Sequence, residues 1–353
     1  MHLRTPVFPK KFKTLTRVLY VSFLFLCIVI ALTFTGLLYT KQLVFDLLWY
    51  TQKQANNDVY VIEPFPISVY PAEKKITEVE NLNTQPYFQN KLSDRSILPS
   101  FLKNKKIFAQ IVDSLSQLHW YQNLASPSSR ILIIRPGERK EEVINTFAKI
   151  LNWDQQMKET FESLVVSAAP PLAEGKFFPD NYLVSKDATP EKVADIIIQN
   201  FNSEIAIRYT DDIQKIVPLK EALTIASILE REAYDFTDMR EISGIIWNRL
   251  FIDMPLQIDA TLQYANGTSH SKTWYPKVTP EDKYIESPYN TYRNKDLPPT
   301  PIGSPSVEAV LAALNPVPTD CLFYFHDKNS QFHCSKTYKE HVRLLKKYYG
   351  QGK

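Results

Sequence analysis

The chain has 353 residues, of which 44% are hydrophobic and 22% are charged, and its formal net charge is +3. This length is enough for two compact domains with additional segments. Lys and Arg are interspersed with Asp and Glu rather than gathered in a stripe, which argues against a nucleic-acid-binding protein. The sequence contains no GxGxxG or other phosphate-cradling loop, which argues against a nucleotide-dependent enzyme.

An uncharged run of 22 residues, from Val18 to Tyr39, is the most distinctive feature of the N-terminal part. At about 1.5 Å per residue, a helix of this length crosses the hydrocarbon core of a bilayer. Signal peptides have shorter apolar cores and a small-residue cleavage site, so the run favours an uncleaved anchor. We therefore expect a basic cytoplasmic tail over 1–17 and a transmembrane helix over 18–40. The basic residues that predict a cytoplasmic N-terminus are Arg4, Lys10, Lys11, Lys13 and Arg17.

Residues 41–128 are expected to form an extracytoplasmic spacer and lead-in region. Pro64, Pro66 and Pro71 favour an extended chain that leaves the membrane. Residues 97–124 contain helical patches, which indicates an ordered lead-in of mixed character. The sequence does not indicate a function for this region.

A small unit of strand, turn and helix is predicted next. Residues 131–134 form a short strand, 135–138 a turn, and Lys140 to Leu151 a helix with one apolar stripe. The unit resembles half of a LysM-like module, of the kind that lies on glycan strands. The pattern is common, and a purely structural αβ unit is an equally good interpretation. Together with a connector, this LysM-like αβ subdomain is assigned to residues 129–188.

Two glutamates, Glu230 and Glu232, interrupt the apolar surface of a helix predicted from Leu219 to Glu232. On a helical wheel both lie between an apolar stripe and an opposite face that includes Thr224 and Ser227, so the wheel does not choose between them. A carboxyl pressed against aliphatic side chains has a raised pKa, because desolvation disfavours its charged form. Such a group can donate a proton. A general acid is therefore the functional interpretation, and two solvated boundary charges are the alternative.

The stretch after this helix is rich in side chains that can bond sugar hydroxyls. A second helix is predicted from Met239 to Leu250, followed by a turn-and-strand piece from Leu256 to Thr261. Two later segments, 289–292 and 297–302, have aromatic and proline-rich character, and rigid loops of this kind often carry function on a packed scaffold. The hydrogen-bonding residues of the stretch are Asp235, Arg240, Asn248, Arg249, Gln257, Asp259 and Gln263.

The C-terminal part completes a predicted α+β fold. A helix from Ser306 to Ala313, with Ser306 as its N-cap, precedes strands at Leu322–Phe325 and Gln331–Cys334. A basic helix is expected to begin at Thr337.

Two of the three cysteines, Cys321 and Cys334, flank this hairpin. A disulfide between them is permitted outside the cytoplasm. However, a four-residue turn over 327–330 would place Phe323 opposite Cys334 and leave Cys321 diagonal to it, so the sequence leaves the pairing undecided. The nearby histidines do not complete a zinc pattern with these cysteines, and no metal site is expected.

Six blocks of the sequence occur in a distinctive order, and they are EGKFFPDNY, IASILEREA, IIWNRL, MPLQIDATLQY, SPYNTYRNKDLPPTPIGSP and LNPVPTDCLFYF. In order and spacing these blocks resemble the endolytic murein transglycosylase family (MltG, YceG-like). The resemblance covers about residues 130–353. We assign residues 189–353 to a mixed α+β catalytic transglycosylase domain.

The resemblance implies a single-pass enzyme of the inner (plasma) membrane that cuts the glycan strands of nascent peptidoglycan internally and influences strand length. Its catalytic domain would lie in the periplasm or extracytoplasmic space. Peptidoglycan synthases are candidate protein partners, and no cofactor is expected. The second glutamate of the family's E-x-E signature, Glu232 here, corresponds to the catalytic acid. The residues expected to contact substrate or support the site are Glu230, Asn248, Arg249, Gln257, Asp259, Thr261, Tyr289, Asn290, Thr291 and Tyr292.

One carboxyl is enough for a lytic transglycosylase, because the substrate supplies its own nucleophile, whereas glycoside hydrolases generally need two. In our hypothesis Glu232 protonates the glycosidic oxygen between MurNAc and GlcNAc and then accepts the proton of the MurNAc C6 hydroxyl. That hydroxyl closes on C1 and gives a 1,6-anhydroMurNAc end. Two alternatives stay open. One is a hydrolytic muramidase with Asp259 or Asp235 as the second carboxylate, and the other is a non-catalytic, membrane-tethered peptidoglycan-binding or scaffold protein.

Overall fold

The computed structural model describes residues 20–33, 35–36, 63–79, 128–267 and 273–350. The chain divides into two compact units, one comprising 1–58 and 112–127 and the other comprising 59–111 and 128–353.

In chain order, the strands and helices of the second unit are β1 (Val69–Tyr70), β2 (Lys75–Ile76), β3 (Ser129–Ile134), α1 (Lys140–Leu151), α2 (Gln155–Ser167), β4 (Asp180–Ser185), α3 (Pro190–Glu204), α4 (Asp211–Ile216), α5 (Leu219–Glu232), α6 (Phe236–Phe251), α7 (Asp259–Asn266), α8 (Val307–Leu314), β5 (Phe323–His326), β6 (Phe332–Ser335) and α9 (Tyr338–Tyr349). Short 3-10 turns lie at Pro71–Glu73, Ala206–Arg208 and Pro280–Tyr284. Among the described residues the strands form three antiparallel pairs, β1–β2, β3–β4 and β5–β6. The described part of this unit is therefore α+β, as the sequence predicts.

β3, α1, α2 and β4 form a βααβ unit with its own core. β3 pairs with β4 in register from Ser129 opposite Ser185 to Ile134 opposite Asp180. The apolar stripe of α1 packs on these strands, which confirms the predicted helix; β4 was not predicted. Three phenylalanines at the centre of this core are fully buried, and they are Phe147, Phe161 and Phe177.

α5 is enclosed by its neighbours, and every residue from Ala222 to Leu229 is buried. The helical wheel puts Thr224 and Ser227 on an outer face, and this prediction is wrong because they are only 1% and 0% exposed. α6 and α8 both pack against α5, so the two hydroxyls need internal partners. Ser227 Oγ donates to the backbone oxygen of Thr224 at 2.8 Å and accepts from the N–H of Ile302 at 2.9 Å.

The two helices that follow begin differently from the sequence prediction. α6 starts three residues early, at Phe236, because Asp235 caps it and accepts the N–H of Asp238 at 2.9 Å. The strand predicted within 256–261 is wrong. Instead the chain turns at Gln257, whose φ is 53°, and α7 begins at Asp259.

β5 and β6 form the C-terminal hairpin in a register one residue away from the predicted one. The turn comprises residues 327–331 rather than four residues, because the aspartate at its start accepts two backbone N–H groups of the turn. Tyr324 therefore lies opposite Cys334, where the shorter turn would put Phe323. A disulfide joins Cys321 to Cys334, which decides the pairing that the sequence left open.

α9 begins where the sequence predicts. Thr337 is its N-cap, and Glu340 completes a capping box. The helix packs against both strands of the hairpin, and the Tyr349 hydroxyl donates to the backbone oxygen of His326. The hairpin is thus held between α9 and α6.

In the first unit, residues 20–33 and 35–36 are helical and exposed. Across the described ranges, none of the helices combines the length and the apolar character needed to cross a membrane. Residues 18, 19, 34 and 37–40 of the expected span lie outside the described residues, as do the tail over 1–17 and most of 41–128. The transmembrane helix stays a prediction.

Candidate active site

Glu232 is the last residue of α5, and its half-buried side chain lies where α5, β5 and the start of α7 meet. The Tyr324 hydroxyl in β5 donates to Oε2 at 2.9 Å, and the N–H of Ala260 in α7 donates to Oε1 at 3.3 Å. Both carboxyl oxygens are therefore held by neutral donors. Within the described part of the chain, no lysine or arginine forms an ion pair with this carboxyl.

The surroundings of Glu232 favour its protonated form. Desolvation by burial is the largest influence and raises the pKa of this carboxyl above its ordinary value. The hydrogen bonds from Tyr324 and Ala260 lower the pKa, because they stabilise the carboxylate, and His326 also lowers it, whereas the nearby charge of Asp259 raises it. The net direction is upward, which is the direction a proton-donating acid requires.

Asp259 lies beside the Glu232 carboxyl as the exposed first residue of α7. Its Oδ1 accepts a hydrogen bond of 2.7 Å from the Tyr292 hydroxyl, and Lys283 Nζ lies 4.7 Å from the centre of the Tyr292 ring. Burial raises the pKa of Tyr292 above its ordinary value, so its hydroxyl remains a donor. The structure thus brings together Glu232, Asp259 and Tyr292, all three of which the sequence singles out.

Two side chains of β5 complete these surroundings and were missed at the sequence level. Tyr324 and His326 are two residues apart in a strand, so they point to the same face. His326 Nε2 lies 2.8 and 3.0 Å from the carboxylate oxygens of Asp238, and its ring meets the exposed ring of Tyr234 edge to face at 4.7 Å. Strand alternation could have indicated this polar face. Nothing in the sequence indicates that it packs against the end of α5.

The Glu230 side chain interacts with the beginning of α8 and not with the surroundings of Glu232 described above. Its Oε1 accepts hydrogen bonds from the hydroxyl of Ser306 and, at 3.3 Å, from the Ser306 N–H. Ser306 is the N-cap of α8, with its Oγ accepting the N–H of Ala309 at 3.1 Å. Glu230 therefore ties the end of α5 to the beginning of α8, which supports a role in holding the helix that carries Glu232.

Asn248 and Arg249 hold the backbone of neighbouring segments. Asn248 Nδ2 donates to the carbonyl oxygens of Thr319 and Cys321 at 2.6 and 3.1 Å. Arg249 is 7% exposed and donates from Nε to residue 322 and from a terminal nitrogen to residue 256, both at 2.6 Å. These two side chains thus fix the segments that lead into β5 and α7.

Three further candidates are buried and structural. Thr261 and Thr291 bond each other at 2.9 Å, and Thr291 Oγ1 accepts the N–H of Ile258 at 3.0 Å. Asn290 is fully buried, and its Nδ2 donates to the carbonyl oxygens of residues 283 and 285. Together they hold the loop 289–292 against the start of α7.

The last two candidates differ in exposure. Gln257 is exposed, and its backbone N–H donates to the Thr291 oxygen at 3.0 Å. Tyr289 is half-buried, with its hydroxyl 2.7 Å from Thr300 Oγ1 and its ring 4.7 Å from that of Tyr264. Gln257 can therefore meet a substrate, whereas Tyr289 connects the loop 289–292 to the proline-rich loop.

The surroundings of the Glu232 carboxyl are suited to proton transfer. Asp235, one of the two candidates for a second carboxylate, is committed to capping α6. Asp259 is exposed and hydrogen-bonded, so it is suited to interaction with a polar ligand. Among the described residues there is no cluster of three His, Cys, Asp or Glu side chains that could hold a metal ion.

Known protein families and sequences include matches to this chain, and the family match contains this site. The model of the YceG-like family matches residues 101–347. An endolytic murein transglycosylase from Bacillus subtilis (strain 168) is 35% identical over 176 residues, which is 50% of this chain and 48% of that protein. An endolytic murein transglycosylase from Streptococcus pneumoniae (strain ATCC BAA-255 / R6) is 34% identical over 168 residues, 47% of this chain and 30% of that protein. The chain thus spans less than half the length of these relatives.

The fold has a counterpart among solved structures. A 2.6 Å crystal structure of a yceG-like protein from Listeria monocytogenes matches with a TM-score of 0.54 and 24% sequence identity. The match covers 74% of this chain and 94% of the other. At this identity, the likeness concerns the fold.

Proposed function

The chain belongs to the YceG-like family, and we propose that it is a lytic transglycosylase that cleaves the MurNAc–GlcNAc bond within nascent peptidoglycan strands. The observation that carries the proposal is the carboxyl of Glu232, half-buried, with a raised pKa and held by two neutral donors. The names of the two bacterial relatives, both endolytic murein transglycosylases, agree with this chemistry.

The proposed mechanism uses one carboxyl in two steps. Neutral Glu232 donates its proton to the glycosidic oxygen, so the GlcNAc alcohol leaves as an oxocarbenium-like state develops at C1 of MurNAc. The resulting carboxylate then takes the proton of the MurNAc C6 hydroxyl, whose oxygen bonds C1. Glu232 is neutral again, and the product end is 1,6-anhydroMurNAc.

The other candidate residues are given two different roles. Asp259, Tyr292 and Gln257 are proposed to contact the sugar, because they lie at or near the exposed start of α7. The residues proposed to hold the site are Glu230, Asn248, Arg249, Thr261, Tyr289, Asn290 and Thr291, all of which bond other parts of the protein.

Location and domain organisation are part of the same proposal. The uncharged run over 18–40 would anchor the protein in the inner membrane, with the catalytic domain over 189–353 on the extracytoplasmic side. The βααβ unit within 129–188 is our candidate for a LysM-like unit that lies on glycan strands. Peptidoglycan synthases remain candidate partners.

Product analysis of the full-length protein in detergent tests the proposal. On uncrosslinked glycan, the wild type is expected to give 1,6-anhydroMurNAc ends by mass spectrometry. Glu232→Gln keeps the size of the side chain but cannot give up a proton, so we expect activity to fall by at least roughly 10³-fold. Glu221→Gln, at an exposed glutamate of the same helix, is the matched control and should be fully active.

Other outcomes select other functions. Reducing MurNAc ends would replace the transglycosylase with a hydrolytic muramidase. Binding to sacculi without any new chain ends would favour a scaffold protein. A fully active Glu232→Gln variant would refute the assignment of the acid.

A further inference from the structure

Tyr324 stands out among the residues around Glu232 because it touches the carboxyl directly. Its hydroxyl donates to Glu232 Oε2 at 2.9 Å. Burial, followed by the charge of Glu232, raises the pKa of Tyr324 well above its ordinary value. The phenol is therefore neutral, and its single hydrogen is committed to Glu232.

We propose that Tyr324 is a positioning residue of the reaction, which holds the Glu232 carboxyl by Oε2 while the Ala260 N–H holds Oε1. The inference rests on the proposed role of Glu232 as the acid and adds to it a residue from β5. With both oxygens engaged, the carboxyl cannot rotate without losing a hydrogen bond. A fixed carboxyl keeps its proton aimed at one position, which is what efficient proton transfer to a bound sugar requires.

The same hydrogen bond favours the state of Glu232 after it has given up its proton. A hydroxyl bonded to a carboxylate forms a charge-assisted hydrogen bond, which is stronger than one to the neutral acid. The hydrogen bond from Tyr324 to Glu232 therefore becomes stronger as the glycosidic bond breaks. It stabilises the transition state more than the starting state.

The ring of Tyr324 is held in place by the hairpin around it. It stacks on Phe332 of β6 at a centroid distance of 6.0 Å, and its cross-strand neighbour is Cys334 of the disulfide. Arg249 bonds the carbonyl of residue 322, just before β5, at 2.6 Å. The phenol thus reaches Glu232 from a well-supported strand.

Several other ionisable groups face Glu232 and Tyr324 and also influence how they titrate. A variant used to test Tyr324 must therefore leave these groups unchanged. They are Asp259 of α7, His326 of β5, Asp238 and Arg249 of α6, and Tyr292 of the loop 289–292. A substitution that removes only the hydroxyl of Tyr324 leaves all of them in place.

The test is the pH dependence of kcat/KM for Tyr324→Phe in the full-length enzyme. Removing the hydroxyl removes a bond that favours the carboxylate, so the pKa of Glu232 should rise and the alkaline limb of the profile should move to higher pH. We also expect kcat to fall on the order of tenfold with KM little changed, because the carboxyl is less well oriented.

Two further variants separate positioning from a purely structural effect. Tyr349→Phe removes a hydroxyl that bonds the same hairpin at the His326 carbonyl, and its pH profile should match the wild type. Replacing Tyr324 with 3-fluorotyrosine keeps the ring and strengthens the donor, so the alkaline limb should move to lower pH. This second substitution also covers the case in which Tyr324→Phe does not fold.

The outcomes distinguish this inference from the proposed function. If Glu232→Gln is inactive while both Tyr324 variants keep the wild-type profile, Tyr324 is not a positioning residue and the acid assignment stands. If Glu232→Gln is active, the acid assignment fails first. Opposite shifts of the alkaline limb in the two Tyr324 variants would support the inference.

Discussion

At the scale of single residues, the protonation of Glu232 reflects opposing influences. Burial and the charge of Asp259 raise its pKa, whereas Tyr324, Ala260 and His326 lower it. Desolvation is the largest of these influences. The surroundings as a whole therefore favour the neutral form of Glu232, and each polar neighbour shifts the pH at which this carboxyl loses its proton.

Asp259→Asn tests one of these influences. Removing a nearby negative charge should lower the pKa of Glu232 and move the alkaline limb of kcat/KM to lower pH, the direction opposite to that expected for Tyr324→Phe. On the alkaline limb we expect a loss in kcat/KM of roughly three- to tenfold at any given pH. The matched control is Asp187→Asn, at an exposed aspartate outside the site. Complete loss of activity at every pH would instead indicate that Asp259 is an essential second carboxylate, as in a muramidase.

At the scale of elements, the sequence predicts those whose pattern is local. The helices α1 and α5 follow from apolar periodicity, and the start of α8 follows from its capping residue, Ser306. The register of the hairpin and the start of α7 do not, because the first depends on the side-chain hydrogen bonds of Asp327 and the second on the left-handed backbone of Gln257. A one-residue change in the turn exchanges Phe323 for Tyr324 opposite Cys334.

The candidate site divides in the same way. Glu232, Asp259 and Tyr292 could be named from the sequence, because they lie in blocks that resemble a family. In the structure these three residues lie together. Tyr324 and His326 could not be named, since their contact with α5 and α6 is decided by packing between distant segments. The helical wheel also predicted the wrong exposure for Thr224 and Ser227, because a wheel does not show that a helix is enclosed on several sides.

The disulfide provides a prediction for the hairpin as an element. It closes a loop with a sequence separation of 13, and loss of a crosslink over so short a loop costs about 3 kcal/mol in the chain-entropy estimate. The double variant Cys321→Ser/Cys334→Ser should therefore unfold at lower urea, with a free energy of unfolding reduced by about 2–3 kcal/mol. Wild-type protein kept in reductant should behave like the variant. Equal stability of oxidised and reduced wild type would contradict the prediction.

At the scale of the whole molecule, a fully buried glutamate, Glu174, joins the βααβ unit to α7 at the candidate site. Glu174 is 1% exposed; its Oε1 accepts the N–H groups of Lys140 and Gly175 at 3.2 Å each, and its Oε2 lies 3.4 Å from the Tyr264 hydroxyl. Arg139 lies 4.0 Å above the Tyr264 ring and bonds the carbonyl of Tyr264 at 3.0 Å. Burial raises the pKa of Glu174 to about 8.

This raised pKa makes folding stability depend on pH. Folded Glu174 keeps its proton up to about pH 8, whereas the unfolded group releases it near the ordinary pKa of 4.5. Its contribution is therefore complete below pH 4.5 and is lost as the pH rises through 8. Glu174→Gln, which resembles the protonated form, should remove a dependence on the order of a few kcal/mol between pH 5 and 8.

Urea unfolding of wild type and Glu174→Gln across this pH range measures the effect. The variant should gain stability relative to wild type as the pH increases. Glu159→Gln, at an exposed glutamate of α2, should run parallel to wild type. If the free energy of unfolding of Glu174→Gln depended on pH as that of wild type does, the Glu174 carboxyl would be ionised in the folded protein.

Glu232 and Tyr324 are 92 positions apart in the chain, and this separation sets an order of events during synthesis. The helix that ends in the acid leaves the ribosome well before the strand that supports it, so an incomplete chain carries the carboxyl without its phenol. The disulfide forms later still, because Cys334 follows Tyr324 in the chain. The support of Glu232 is thus completed only once the hairpin has been made, and a chain truncated before β5 would lack the hydrogen bond from Tyr324.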